Sequence, residues 1–239
     1  MKTLFISDLH LSQERPAITA LFLRFLQEQA THAEALYILG DLFEVWLGDD
    51  MVLPEYQTAI TALKALRERG IPIYIMYGNR DFLMRDEFER MSGATLLHEP
   101  CVIQLGAQAT LLLHGDILCS DDVAYQQFRR MVRNPQWQDE LLARTPQQRL
   151  TLAREYRAMS QTEMAKRDEA IMDVNPQTVL STMRQHKVRH LIHGHTHRPG
   201  IHNFELDGQP AQRIVLADWY ERGGYLECND SQCRLVTFA

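Results

Sequence analysis

Aspartate, asparagine and histidine recur in this chain at the ends of short apolar runs. Asp8 and His10 follow "KTLFIS", and Asp41 follows "EALYILG". Asn79, Arg80 and Asp81 follow "IPIYIMYG", His114 closes "ATLLLHGD", and His195 and His197 stand in "LIHGHTHRPG". A carboxylate or imidazole after a strand is ordinarily a cap or a turn residue, and His190 and His202 are read that way. Five run ends each carrying an oxygen or imidazole donor, and none a thiolate, point instead to metal chemistry. The candidate ligands Asp8, His10, Asp41, Asn79, His114, His195 and His197 are too many for one tetrahedral ion. They suit two ions sharing a carboxylate, with Mn, Fe or Zn as the metals, and paired ions serve in-line displacement at phosphorus.

The elements that must position these residues alternate strand and helix. "KTLFIS", "EALYILG" and "IPIYIMYG" are buried strands, and Asp8 and His10, two apart, are expected on one side of an extended chain. "PAITALFLRFLQEQA" is a helix with Pro16 in its first turn. "YQTAITALKALRERG" ends at Gly70 and "RDEFERMSG" at Gly93. "CVIQLGAQATLLLHG" reads as a hairpin. From about 121 to 173 strand signal disappears, and Pro135 and Pro146 divide helical pieces. Asn175 and Pro176 then open a helix, "VRHLIHG" is a strand, and the tail from Ile201 is strands broken at "DGQP", "RGG" and "NDSQ". Sites in open α/β sheets assemble beyond the carboxyl ends of the strands, which is where the candidate ligands stand. The expected fold class is an α/β sandwich: one domain over residues 1–239 with a helical insertion at about 121–173.

Composition excludes several classes. Hydrophobic residues make up 45% and charged residues 23% of the 239, as in globular proteins. The net charge of −6 argues against a nucleic-acid-binding module, so no nucleic acid is expected as partner. No apolar stretch is long enough to span a bilayer. Cys101, Cys119, Cys228 and Cys233 form no CxxC pair, and the expectation is reduced cytosolic thiols, with a bridge between Cys228 and Cys233 across the turn "NDSQ" as the alternative.

The series "DLH", "GD", "GNRD", "HGD" and "GHTH" resembles the calcineurin-like metallophosphoesterase superfamily. More narrowly, "YILGDLFEVWLGDD", "GNRDFL", "LLLHGD", "IMDVN" and "LIHGHTHRP" resemble the UDP-2,3-diacylglucosamine diphosphatase family of lipid A biosynthesis, over essentially the whole chain. The resemblance implies an αββα sandwich, two mixed sheets flanked by helices, with the insertion as a lid. It implies two Mn(2+) ions, one on Asp8, His10, Asp41 and His197 and one on Asp41, Asn79, His114 and His195. Asp41, Asn79, Arg80, His114 and His195 carry over as catalytic. The implied reaction is attack of water on the α phosphorus of UDP-2,3-diacylglucosamine, releasing UMP and 2,3-diacylglucosamine 1-phosphate. The implied setting is a monomer in peripheral contact with the anionic cytoplasmic side of the bacterial inner membrane.

Arg80 stands where most of the superfamily has histidine. A guanidinium does not give up its proton, but it can grip phosphate oxygens, which suits a pyrophosphate whose leaving group needs little acid help. Asn79, Arg80, Asp122, Tyr125, Arg157, Ser160, Met164, Arg167 and His195 carry over as substrate contacts. Arg157, Ser160, Met164 and Arg167 share a helical face by their spacing. Met164 replaces a common asparagine and cannot donate its hydrogen bond, whereas Arg167 replaces lysine and keeps the charge. Ala217 replaces a usual glycine outside the metal set. Nine basic and four acidic residues lie between Val123 and Arg167, which reads either as a solvated basic face or as a surface for an anionic membrane. A soluble-nucleotide or phosphodiester hydrolase of the same fold is the alternative activity.

Overall fold

Burial with a period of two along the strands sets the layers. In the computed structural model, which describes residues 2–164, 173–229 and 232–239 and only the backbone at 159–164, Leu4 and Ile6 of β1 (Thr3–Ile6) face one way and Phe5 the other. The same alternation places Leu36 and Ile38 of β2 (Ala35–Leu39), and Ile73 and Ile75 of β3 (Ile73–Met76), on the outer face. There they meet the apolar stripes of α1 (Pro16–Glu28), α2 (Gln57–Glu68) and α3 (Asp86–Ser92), which include Phe22, Phe25, Leu63 and Phe88. Gly93 closes α3 in the left-handed conformation, as its sequence position implies.

The first sheet has the order β11-β10-β1-β2-β3-β4, with β4 at Thr95–Leu97, β10 at Gly223–Cys228 and β11 at Cys233–Phe238. β1 to β4 run parallel, and β10 and β11 are antiparallel additions. The second sheet, β5-β6-β7-β9-β8, contains the expected hairpin of β5 (Cys101–Leu105) and β6 (Gln108–Leu112). Its other strands are β7 (His190–His193), β8 (Gly200–Leu206) and β9 (Gln209–Val215). Phe5, Leu39, Met76, Leu112, Ile192, Ile214 and Leu226 fill the space between the sheets. Leu111, Leu113 and Leu191 pack outward on Val179 and Met183 of α7 (Pro176–Gln185). The layers are helix, sheet, sheet, helix, as the αββα expectation requires.

Three further helices, α4 (Val123–Val132), α5 (Pro135–Leu142) and α6 (Pro146–Met164), occupy the stretch without strand signal. Their arginines divide between the sandwich and the surface. Arg129 pairs with Glu99 and Asp116, Arg133 donates to Gly78 O, Arg149 pairs with Asp50 and donates to Leu47 O, and Arg157 pairs with Glu44. Four of the cations therefore tie these helices to the sandwich, leaving Arg130, Arg144 and Arg154 exposed.

The cysteine expectation is corrected. Cys101 and Cys119 are free, but Cys228 and Cys233 form a disulfide. Pairing of β10 with β11 sets these two residues directly opposite, with Cα atoms 4.1 Å apart, so register brings together what sequence spacing left open. Among the described residues no helix is long and apolar enough to cross a membrane.

Asn175 accepts from the N–H groups of Gln177 and Thr178 at the start of α7. Asn175→Ala should cost about 1 kcal/mol and lower the melting temperature by about 2–4 °C, measured by circular dichroism.

Candidate metal centre

The carboxyl ends of β1, β2, β3, β6 and β7 converge at one end of the sandwich. Main-chain bonds lock them together: Asp8 N–H donates to Gly40 O, His10 N–H to Asp41 O, and Gly194 N–H to His114 O. Asp8 and His10 do not lie on an extended strand, as the spacing of two suggested. Their φ angles are 56° and 50°, in the left-handed region, and Asp41, His195 and His197 share that conformation at 53°, 69° and 53°. A turn beyond the strand, not strand alternation, aims these side chains at one point.

All seven candidate ligands meet there. Oδ2 of Asp41 lies 3.7 Å from His10 Nε2 and 3.8 Å from His114 Nε2, so it stands between two imidazoles. Oδ1 of Asp8 is 3.4 Å from His197 Nε2. Oδ1 of Asn79 is 3.0 Å from both His114 Nε2 and His195 Nδ1. Donor atoms of Asp8, His10 and His197, and of Asp8, Asp41 and His114, each fall within 4.8 Å of one another. His193, the first histidine of "HGHTH", is excluded: its Nδ1–H donates to Gly194 O, its Nε2 accepts from Arg213, and burial pushes its pKa down to about 3.

The site fits divalent cations on three observations. Asp8 and Asp41 are buried, and among the described residues hydrogen bonds and imidazoles hold them, with no arginine or lysine paired to either. Asp8 Oδ1 and His10 Nε2 are buried without a hydrogen-bond partner. His114 donates Nδ1–H to Leu39 O at 2.8 Å, so in the neutral ring the Nε2 lone pair faces the Asn79 oxygen. Two acceptors at that separation require a proton or a cation between them. In the metal-free chain a proton serves: burial opposes charging His114, but Asp41, Asp116 and Asp8 outweigh it and raise the pKa to about 9. His195 moves the other way, to about 4, through burial and the nearby His114.

Several residues that motif reading passed over hold this geometry. Asp81, in "GNRD", accepts from Gly78 N–H and Leu42 N–H and so splices the loops after β2 and β3. Burial and Asp41 raise its pKa to about 6. Glu99 accepts from His114 N–H and pairs with Arg129, which also holds Asp116. Asp116 accepts from Tyr125 OH, and the Tyr125 ring lies 5.8 Å from that of His195. Asp122 caps α4 through Tyr125 N–H. Arg80 is half-buried, with its backbone N–H on Asp41 and its guanidinium 3.9 Å from Glu44. Glu44 carried no motif, and only its place three residues after Asp41 could have marked it. Arg157 reaches Glu44 at 3.2 Å. Arg167 and the side chains of Ser160 and Met164 lie outside the described residues.

A cavity of about 460 Å³ opens beside this cluster. Glu44, Asn79, Arg80 and Tyr125 border it toward the ligands, and Phe82, Leu83, Phe128, Trp137, Leu141 and Leu152 make its body apolar.

Residues 1–199 match the calcineurin-like phosphoesterases, and the chain belongs to that family. Within it, two relatives are UDP-2,3-diacylglucosamine hydrolases. The protein of Aeromonas salmonicida (strain A449) is 50% identical over 98% of this chain and 92% of its own length. That of Serratia proteamaculans (strain 568) is 50% identical over 100% and 99%. A solved archaeal phosphodiesterase shares the fold at a TM-score of 0.50 and 14% identity, over 100% of both chains.

A Cβ at Gly78 would stand 1.9 Å from Asp41 Oδ1. Gly78→Ala should displace that carboxylate and lower phosphodiester turnover by about a hundredfold or more, with a matching loss of bound metal by elemental analysis. Protonated His114 stabilises the metal-free fold fully below its unfolded pKa of 6.5, and the contribution is lost as pH rises through about 9. Melting temperatures of chelator-treated protein should therefore fall between pH 6.5 and 9, and those of a His114→Asn variant should not follow that slope.

Proposed function

We propose that this chain hydrolyses UDP-2,3-diacylglucosamine to UMP and 2,3-diacylglucosamine 1-phosphate, a step of lipid A biosynthesis. The observation that carries the reading is the apolar cavity bordering a cluster of acidic and imidazole ligands. A soluble nucleotide has no use for such a cavity, and an acyl chain does. The names of relatives at half identity over the full length point the same way.

In this reading Asp8, His10, Asp41 and His197 hold one Mn(II) ion and Asp41, Asn79, His114 and His195 a second. The position of Asp41 Oδ2 between His10 and His114 supports a shared carboxylate. Such ions, when bound, make hydroxide available near neutral pH and offset phosphate charge. The chain's own groups do the rest. Leu39 O fixes the tautomer of His114, and Asp8 Oδ2 is fixed by Ser7 Oγ and His195 N–H. Arg80 lies at the cavity mouth, where a diacylglucosamine phosphate would sit. Its guanidinium can neutralise charge on that phosphate as it departs, without giving up a proton. With the lipid on that side, the phosphorus facing water is the one attached to uridine. Asn79, His195, Tyr125, Arg157, Ser160, Met164 and Arg167 complete the substrate contacts, and Asp122 acts by capping the helix that carries Tyr125.

The domain is single, and α4 to α6 form a lid over the cavity. Exposed Val123 and Met131, with Arg130, Arg144 and Arg154, support peripheral contact of a monomer with the anionic cytoplasmic face of the bacterial inner membrane.

In oxygen-18 water, mass spectrometry should find the label in UMP. Label confined to the lipid phosphate would reverse the assignment of the attacked phosphorus. Arg157→Ala should lower turnover of the diacyl substrate at least about tenfold, the equivalent of about 1.4 kcal/mol. Cleavage of a small activated phosphodiester, which makes no use of the cavity, should change less than about twofold.

A further inference from the structure

We infer that Glu44 is a positioning residue that couples the helical lid to the metal centre, orienting His10 with one carboxylate oxygen and docking Arg157 with the other. The inference rests on the reading of the cluster as a metal site, and it concerns a residue with no place in the ligand set.

The main chain puts Glu44 where it can act. The pairing of β1 with β2 continues past both strands: His10 N–H donates to Asp41 O, Leu11 N–H to Leu42 O, and Glu44 N–H to Leu11 O. Leu11 and Phe43 form an isolated parallel bridge. Glu44 is therefore held beside the turn that carries His10 by backbone bonds that do not depend on its side chain. The carboxylate is 13% exposed, and its two oxygens face different groups. Oε2 lies 3.3 Å from His10 Nδ1. Oε1 lies 3.2 Å from a guanidinium nitrogen of Arg157 and 3.9 Å from one of Arg80.

The His10 ring thus stands between two carboxylates, with Asp41 on the Nε2 side at 3.7 Å and Glu44 on the Nδ1 side. A neutral imidazole has one N–H. A carboxylate beside Nδ1 draws the hydrogen there and leaves the Nε2 lone pair for a ligand, the arrangement found behind metal-binding histidines. The separation is that of an ion pair rather than of an aligned hydrogen bond, so the steering acts through charge. A carboxylate serving only to tie α6 down would need no second oxygen turned toward a ligand ring. The shared group makes ring orientation and the seat of Arg157 two consequences of one side chain.

Glu44→Gln tests both roles at once, because a neutral amide no longer steers the His10 hydrogen by charge and no longer pairs as an ion with Arg157. Metal-free protein would be titrated with Mn(II), with free ion read from its electron paramagnetic resonance signal. One of two binding events should weaken about ten- to a hundredfold while the other stays at its wild-type value. In the same variant, Arg157→Ala should lower turnover of the diacyl substrate by less than about twofold, although it lowers it at least about tenfold in the wild-type background and leaves Mn(II) binding untouched. Wild-type Mn(II) affinity in Glu44→Gln would overturn the orienting role. A full, additive effect of Arg157→Ala would overturn the coupling. If wild-type protein bound no Mn(II), the metal reading would fall with it, a result distinct from either. Should Glu44→Gln melt early, Glu44→Asp carries the same test: it keeps the charge but withdraws it by one methylene, and an intermediate loss of Mn(II) affinity is expected.

Discussion

Five of the seven clustered donors, Asp8, His10, Asp41, His195 and His197, stand on left-handed backbone. For residues with a Cβ this conformation costs of the order of 1–3 kcal/mol at each position, and it persists only where the surroundings over-determine it. Here they do. The turn after β1 is bonded to the turn after β2, and the turn after β7 to the end of β6. Gly78 and Gly194 allow the approach: a Cβ at either would fall within 2.4 Å of the carboxylate of Asp41 or Asp8. Because two sheets meet at this end, turns from both can be locked into one rigid ring of candidate ligands. The rest of the sandwich serves to hold five strand ends in register.

Charge balance follows from that geometry. The side chains of Asp8, Asp41, Asp81, Glu99 and Asp116 are all buried near the cluster, and among the described residues Arg129 is the cation paired with two of them. The surplus negative charge raises His114 in the metal-free chain and, in the proposed enzyme, is what draws divalent cations in. The same surplus organises the helical segment. Arg129 of α4 and Arg133 just after it reach the ends of β6 and β3, and Arg149 and Arg157 reach the loop after β2. The helices are thereby fastened next to the ligands, and the apolar cavity forms between their inner faces and that loop. A hydrophobic chamber beside a polar centre is thus a product of ion pairs at its margin.

Much of this was legible in the chain. Apolar runs marked the strands, proline and asparagine marked helix starts, and Gly70 and Gly93 marked ends, because these signals act within a few residues. The order of ligand types at five run ends located the site before any contact was known, since each side chain's chemistry is local to it.

Pairing across the fold decided what the sequence could not. Two residues apart on a strand and two apart on a left-handed turn look identical in sequence, so the conformation of Asp8 and His10 came only from their bonds to the loop after β2. The disulfide of Cys228 and Cys233 depends on the register of β10 with β11. The inward direction of Arg129, Arg133, Arg149 and Arg157 depends on carboxylates and carbonyls 30 to 113 residues away. Glu44 has meaning only beside His10 and Arg157, which lie 34 and 113 positions from it. Residue types and short-range order state which chemistry is available, whereas long-range packing sets which groups share a field and a hydrogen bond, because Coulomb and hydrogen-bond energies depend on separation in space and not along the chain.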